Sequence, residues 1–117
     1  MEVAISKIRS GMVDLMILGL LYKSDMYGYE MTKYFKNSTD GQLGMTEERI
    51  YIIMQNFEKN KYVSRYTVKV NERRKRHYYH LEDAGIAYFK EAINNYKAIT
   101  KAASRLLDDI DFGTAEA

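Results

Sequence analysis

The chain has 117 residues, 18 basic and 16 acidic, with 46% apolar side chains and no Cys, Pro or Trp. That length holds a single core and the apolar share is enough to fold it, so a disordered polymer is excluded, as are a disulfide framework, a thiolate zinc site and a thiol nucleophile. The apolar run from Met16 to Tyr22 is too short to span a bilayer, and the N-terminus lacks a basic segment leading into an unbroken apolar one, so a cytoplasmic protein with no membrane partner is expected.

In chain order, the spacing of Met12, Leu15, Met16, Gly19 and Leu20 predicts a buried helix over 12–22, with Asp14 near its positive end. Ser24-Asp25 breaks it, and Asp25 is placed to cap a second helix from about Met26, which carries Met31, Tyr34 and Phe35 on one face. The cluster 37–41, Asn-Ser-Thr-Asp-Gly, ends that helix. A third helix follows from the N-cap residue Thr46, with Ile50, Ile53, Met54 and Phe57 as its apolar stripe and Arg49, Tyr51, Ile52, Gln55, Asn56 and Lys59 on the other side. The period then changes to alternation: 65–70 and 76–81 read as two strands joined by a tip at 71–74 that contains no glycine. From about Glu82 a long helix runs to about residue 110, with Gly85, Phe89, Ala92, Tyr96, Ile99, Ala103, Leu106 and Ile110 in an unbroken heptad seam and Ile86, Ile93 and Leu107 widening it. Such a helix, about 43 Å long, overhangs a domain whose radius is near 13 Å, and a second copy of itself is the natural cover.

Charge is segregated along this layout. Residues 1–45 hold five basic and five acidic side chains, residues 46–80 nine and four, and residues 81–117 four and seven. The near-neutral total therefore conceals a local excess of five positive charges over the third helix and the hairpin. Four of them are consecutive, Arg73-Arg74-Lys75-Arg76. His77 and His80 lie three apart in a strand, point to opposite faces and cannot share a metal. No metal or other cofactor is expected, and no Ser-His-Asp group or phosphate loop suggests an enzyme.

The order of helix, helix, helix, hairpin and long helix is that of a winged helix-turn-helix followed by a dimerisation helix. The chain resembles the PadR-like transcriptional regulators, in particular the small subfamily with one C-terminal helix. The resemblance is carried by Met16-Ile17-Leu18-Gly19-Leu20-Leu21, Gly28-Tyr29-Glu30-Met31, Ile50-Tyr51, Phe57-Glu58-Lys59-Asn60, Arg74-Lys75-Arg76-His77-Tyr78-Tyr79-His80-Leu81 and Gly85. MarR-like regulators share the architecture without the Gly-Tyr-Glu and Tyr-Tyr pieces. Three positions depart from the family: Glu82 replaces the usual capping Thr, Lys61 replaces the Gly after the third helix, leaving Asn60 to take the left-handed conformation, and Gln55 and Asn56 stand where basic residues are frequent.

The expected fold is mainly α with a small β-hairpin: a DNA-binding domain at 1–81, a dimerisation helix at 82–110 and a flexible tail at 111–117. The expected function is sequence-specific DNA binding, repressive in the resembled family, on a pseudo-palindromic promoter site. The third helix, from Thr46, would enter the major groove, with Arg49 reading guanine and Gln55 and Asn56 reading adenine or reaching phosphate. Tyr51 resembles a family tyrosine that contacts the DNA backbone; packing against the second helix is its alternative. Arg73, Arg74 and Arg76 would follow phosphates or enter the minor groove, and Lys33 and Lys36 would add backbone contacts. Phe89, Ala92, Ile93, Tyr96, Ile99, Ala103 and Leu106 form the expected dimer interface. The family also implies a small planar hydrophobic effector between the long helices, here against Tyr96 with Met12 and Met16; a closed aromatic core at the seam is the alternative. A winged-helix protein-interaction module without DNA binding is the competing reading of the whole chain.

Overall fold

The structure, a computed structural model, describes residues 2–39 and 44–113, with side chains from residue 11 onward. Its elements are α1 (Glu2–Lys23), β1 (Met26–Tyr27), α2 (Gly28–Ser38), α3 (Glu47–Lys59), β2 (Val63–Asn71), β3 (Arg74–Leu81) and α4 (Asp83–Asp108). The three strands form one antiparallel sheet in the order β1-β3-β2. Helix α1 starts ten residues earlier than the apolar spacing predicted, since nothing in 2–11 breaks a helix except Gly11, a cost of about 1 kcal/mol.

Val13, Ile17, Leu18 and Leu21 from α1, Met31 and Phe35 from α2, and Ile50, Met54 and Phe57 from α3 build the core, closed by Met26, Val63, Tyr79 and Leu81 from the sheet. The α3 stripe is the predicted one, although Ile53 lies at its edge rather than inside.

The junctions differ from expectation in instructive ways. Asp25 does not cap α2. Met26 and Tyr27 are drawn into the sheet opposite Tyr79 and Tyr78, so the helix starts at Gly28, and the Glu30 carboxylate accepts a bond from the Tyr27 N–H at 3.4 Å. At the other end of the motif, Thr46 Oγ1 accepts from the Arg49 N–H at 3.1 Å, the predicted cap. Past α3, Lys61 itself takes the left-handed conformation (φ 63°) while Asn60 does not (φ −87°). The Lys61 N–H donates to the Glu58 carbonyl at 3.0 Å and the Tyr62 N–H to the Phe57 carbonyl at 2.9 Å, a complete Schellman closure with lysine where glycine is usual.

The hairpin is longer than its alternation suggested, and its tip is only Glu72-Arg73. Asn71 Oδ1 accepts from the Arg73 N–H at 2.9 Å, and the register shifts between Lys69 and Asn71. Neither tip residue has positive φ, so this bulge supplies the reversal that a Gly-containing turn would otherwise provide.

Glu82 is the N-cap of α4, but its carboxylate accepts from Ser64 Oγ at 2.7 Å instead of capping the helix. Gly85 is buried against the wing's base rather than starting an open seam: a Cβ there would lie 2.2 Å from the Tyr62 carbonyl oxygen and 2.6 Å from Leu81 Cδ1. Tyr62 stacks on Tyr88 of α4 at 4.5 Å and meets Phe57 of α3 at 6.4 Å, fixing the long helix to the end of α3. Helix α4 ends at Asp108, two residues short of the expected limit. Residues 40, 41 and 114–117, parts of the expected turn cluster and tail, lie outside the described residues.

Candidate nucleic-acid interface

With Ile50, Met54 and Phe57 pointing inward, helical geometry sends Glu48, Ile52, Gln55, Asn56 and Lys59 outward, and all five are exposed. Tyr51 occupies the flank nearer the wing, where its hydroxyl accepts a bond from Gln55 Nε2 at 3.1 Å. Arg49 occupies the opposite flank, facing α1. Burial pushes the Asp14 carboxyl up, and the Arg49 charge acts on it in the lowering direction without overcoming that burial.

A groove of about 770 Å³ separates α3 from the wing; Tyr27, Gly28, Tyr29, Glu47, Glu48 and Tyr51 line it on one side and residues 74–77 on the other. Strand parity divides those four. Lys75 and His77 share the face of buried Tyr79 and Leu81, whereas Arg74 and Arg76 share the face of Tyr78 and His80. Arg76 therefore turns back: its guanidinium lies 4.4 Å from the centre of the Tyr27 ring and is half-buried. Arg73 and Arg74 are the exposed cations of the tip, next to an exposed Lys69–Glu72 pair at 3.6 Å. Arg65, absent from the predicted set, is paired with Tyr79 across the β2–β3 ladder, and its charge lowers the Tyr79 phenol, whose pKa burial nevertheless raises. Strand alternation alone points to Lys75, His77 and Arg65, once Tyr79 and Leu81 are taken as inward.

On α2, Lys33 lies 5.7 Å over the Tyr29 ring, and both Lys33 and Lys36 flank a depression beside Gly44 and Met45, just ahead of α3. The two histidines are separated as expected. His77 Nδ1 pairs with Thr67 Oγ1 at 3.0 Å, and His80 Nδ1 with Asp25 Oδ1 at 2.8 Å. Tyr66 Oη donates to the other Asp25 oxygen at 2.7 Å, so one loop carboxylate holds both wing strands. The Asp25 hydrogen bond lifts the His80 imidazole above its ordinary 6.5. Burial would raise Asp25, but bonds from His80 and Tyr66 and the His80 charge outweigh it, leaving that carboxyl below its ordinary 3.8.

On α4, Phe89 packs within its own chain, 5.8 Å from the Tyr22 ring and beside Gly19. Ala92 and Ile93 are half-buried, and from Tyr96 onward the seam is open, with Ile99 68% and Leu106 66% exposed. Tyr96 lines a depression with Gly11, Asp14, Leu15, Leu18, Glu91 and Ile99. Met16 lines a different one with Tyr22, Tyr34 and Phe89, so one protomer does not bring Met16 and Tyr96 together. Met12 is half-buried and lines neither. Among the described residues no helix is long and apolar enough to cross a membrane.

Three helices, a two-stranded wing beside the third and a long helix beyond it define a winged helix-turn-helix protein. Residues 17–91 match the model of the transcriptional regulator PadR-like family, and the chain belongs to that family. It is 31% identical to a transcriptional regulator from Clostridium thermocellum, over 85% of this chain and 96% of that one, with a TM-score of 0.77. Uncharacterized protein X of Lysinibacillus sphaericus is 27% identical over 91% of this chain and 97% of its own length. The fold also matches Bacillus subtilis PadR in complex with operator DNA, at TM-score 0.64 and 23% identity over 70% of this chain and 47% of that one.

Proposed function

We propose that this regulator binds a pseudo-palindromic promoter site as a homodimer and represses by occluding it. The observation that carries the reading is the exposed face of α3, whose side chains have no partner among the described residues apart from the Tyr51–Gln55 bond, lying beside a wing with the exposed cations Arg73, Arg74 and Lys75. That side holds most of the chain's positive excess, and a relative with the same fold is known on operator DNA. In the dimer two copies of α3 serve half-sites about one helical turn, roughly 34 Å, apart. Thr46, Arg49, Tyr51, Gln55 and Asn56 border the major groove, Arg73 and Arg74 take phosphates or the minor groove, and Lys33 and Lys36 support the backbone from α2. Arg76 acts mainly through Tyr27, as a brace for the wing.

The dimer joins along α4 through Ala92, Ile93, Tyr96, Ile99, Ala103 and Leu106, with Phe89 buttressing it from within each chain. A small planar hydrophobic effector fits the Tyr96 depression, where Leu15 and Leu18 offer apolar walls and Asp14 and Glu91 favour a cation. Titrating a fluorescent planar cation into the protein and its Tyr96→Ala variant tests that site: a loss of binding in the variant supports it. A mobility-shift assay on the protein's own promoter, at low and moderate salt, tests the DNA reading. Retardation that persists at moderate salt and competes with unlabelled promoter supports it. Absence of retardation at low salt would favour a protein-interaction module instead.

A further inference from the structure

The outward ridge of α3 has an unusual composition for a surface that meets a polyanion: Glu48, Ile52 and Gln55, at i, i+4 and i+7. Glu48 has no ion-pair or hydrogen-bond partner among the described residues. Nor is it required as the cap, because Thr46 fills that role by accepting the Arg49 N–H. Ile52 is 58% exposed one turn further on, with the apolar stripe of α3 on the opposite side. Arg49, the nearest guanine-reading side chain in the sequence, stands by helical spacing on a flank of α3 rather than on this ridge.

We infer that Glu48 and Ile52 are specificity-determining residues of α3, reading a cytosine and a neighbouring thymine in the major groove; the inference rests on the DNA-binding reading above. A carboxylate there is best matched by the N4 amino group of cytosine, because the adenine N6 amino group stands beside the N7 lone pair, which repels an anion; an exposed branched aliphatic is best matched by the thymine 5-methyl group. Phosphate contact is closed to both. Four residues of helix rise about 6 Å, so two bases spaced roughly 3.4 Å per step fall within about two steps of each other. Glu48 thus weakens binding to DNA at large and restores it only where cytosine is presented, which is discrimination by an unfavourable charge as much as by a new bond.

Selection of sites from a random duplex pool by the full chain tests this, followed by affinity measurement on the selected site. The wild type is expected to enrich half-sites with a cytosine and a thymine within about two steps. Glu48→Gln is expected to exchange that cytosine for adenine while raising affinity for unrelated DNA. Replacing the thymine by deoxyuridine removes only its methyl group and is expected to weaken wild-type binding about fourfold, without effect on Ile52→Ala. Both substitutions are at exposed positions, and the deoxyuridine arm needs no variant. If Glu48→Gln selects the same site as the wild type and deoxyuridine costs nothing, the assignment is overturned although DNA binding stands. If the wild type enriches no sequence at all, the DNA reading itself fails and takes the assignment with it.

Discussion

At the scale of single residues, two backbone positions control the joint between α3, the wing and α4. Lys61 holds a left-handed conformation that costs an ordinary side chain about 1–2 kcal/mol, so Lys61→Gly is expected to stabilise the fold by about 1 kcal/mol. Chemical denaturation shows this as a higher midpoint at unchanged slope. Gly85 has the opposite logic. Alanine in a helix ordinarily gains about 1 kcal/mol over glycine, but here its Cβ would press on the Tyr62 carbonyl, and overpacking of this kind costs more than that gain. Gly85→Ala is expected to lower stability by roughly 1–3 kcal/mol and to shift the wing against α4, read in NMR as weakened cross-peaks between the stacked Tyr62 and Tyr88 rings. The Asp25 clamp adds a pH dependence. The folded pKa of His80 is raised, so its contribution is complete below pH 6.5 and is lost as pH rises through the folded value; that of Asp25 is lowered, so its contribution is lost as pH falls below 3.8 through its own folded value. The clamp is therefore strongest between about pH 4 and 6.5. Because the pair is largely exposed it contributes under about 1 kcal/mol, and the melting difference between wild type and His80→Gln should be a few degrees near pH 5.5 and shrink toward pH 9 at fixed protein concentration. None of these three roles is written in local spacing. Asp25 reads as a cap from its neighbours alone, and only the pairing of residues 26–27 with residues 78–79 diverts it.

At the scale of elements, α3 and the wing divide the work. Periodicity locates α3 and its cap because both are local properties: Thr46 needs only the N–H three residues on, and the stripe needs only the helical repeat. The flanks are less legible. Arg49 and Gln55 both count as exposed on a helical wheel, yet which neighbour each flank faces depends on α1 and the wing, which are distant in sequence. The wing shows the same limit. Four consecutive basic residues look equivalent, but alternation sends Lys75 toward α3 and Arg76 onto Tyr27, leaving Arg73 and Arg74, the proposed DNA contacts, exposed at the tip. The Arg73→Ala, Arg74→Ala double variant is therefore expected to weaken binding to all sequences alike, with the slope of log K against log salt falling by about 0.9 for each phosphate that is no longer neutralised. Arg76→Ala should instead leave the salt slope nearly intact and loosen the wing, visible as faster amide exchange in β1 and β3. Filter binding across a salt series separates the two outcomes.

At the scale of the whole molecule, the shape argues for a partner. The radius of gyration is 17.6 Å and the longest dimension 66 Å, whereas a compact chain of this length has a radius of gyration near 13 Å. Two long helices, α1 of 22 residues and α4 of 26, extend about 33 and 39 Å. The first half of α4 is covered by α1 and the wing base, through Gly85, Phe89 and Tyr88. Its second half is not: Ile99, Leu106 and Leu107 are each at least 60% exposed along one stripe. An isolated helix of that length is marginal in water, and an uncovered apolar stripe of this extent is rare on a monomer. Pairing two such stripes would supply the missing cover and, because α3 is tied to α4 through Tyr62, would fix the distance between the two copies of α3. Ile99→Asp combined with Leu106→Asp is thus expected to convert a dimer into a monomer in sedimentation velocity. The same variant should lose helical signal from the distal part of α4 while the wing and α3 retain their native NMR shifts. Affinity for a two-half-site duplex should fall by at least about tenfold, toward that for a single half-site, since the second binding event is no longer intramolecular. A variant that remained dimeric, or a monomer that bound the full site unchanged, would remove α4 as the element that measures the spacing of the DNA site.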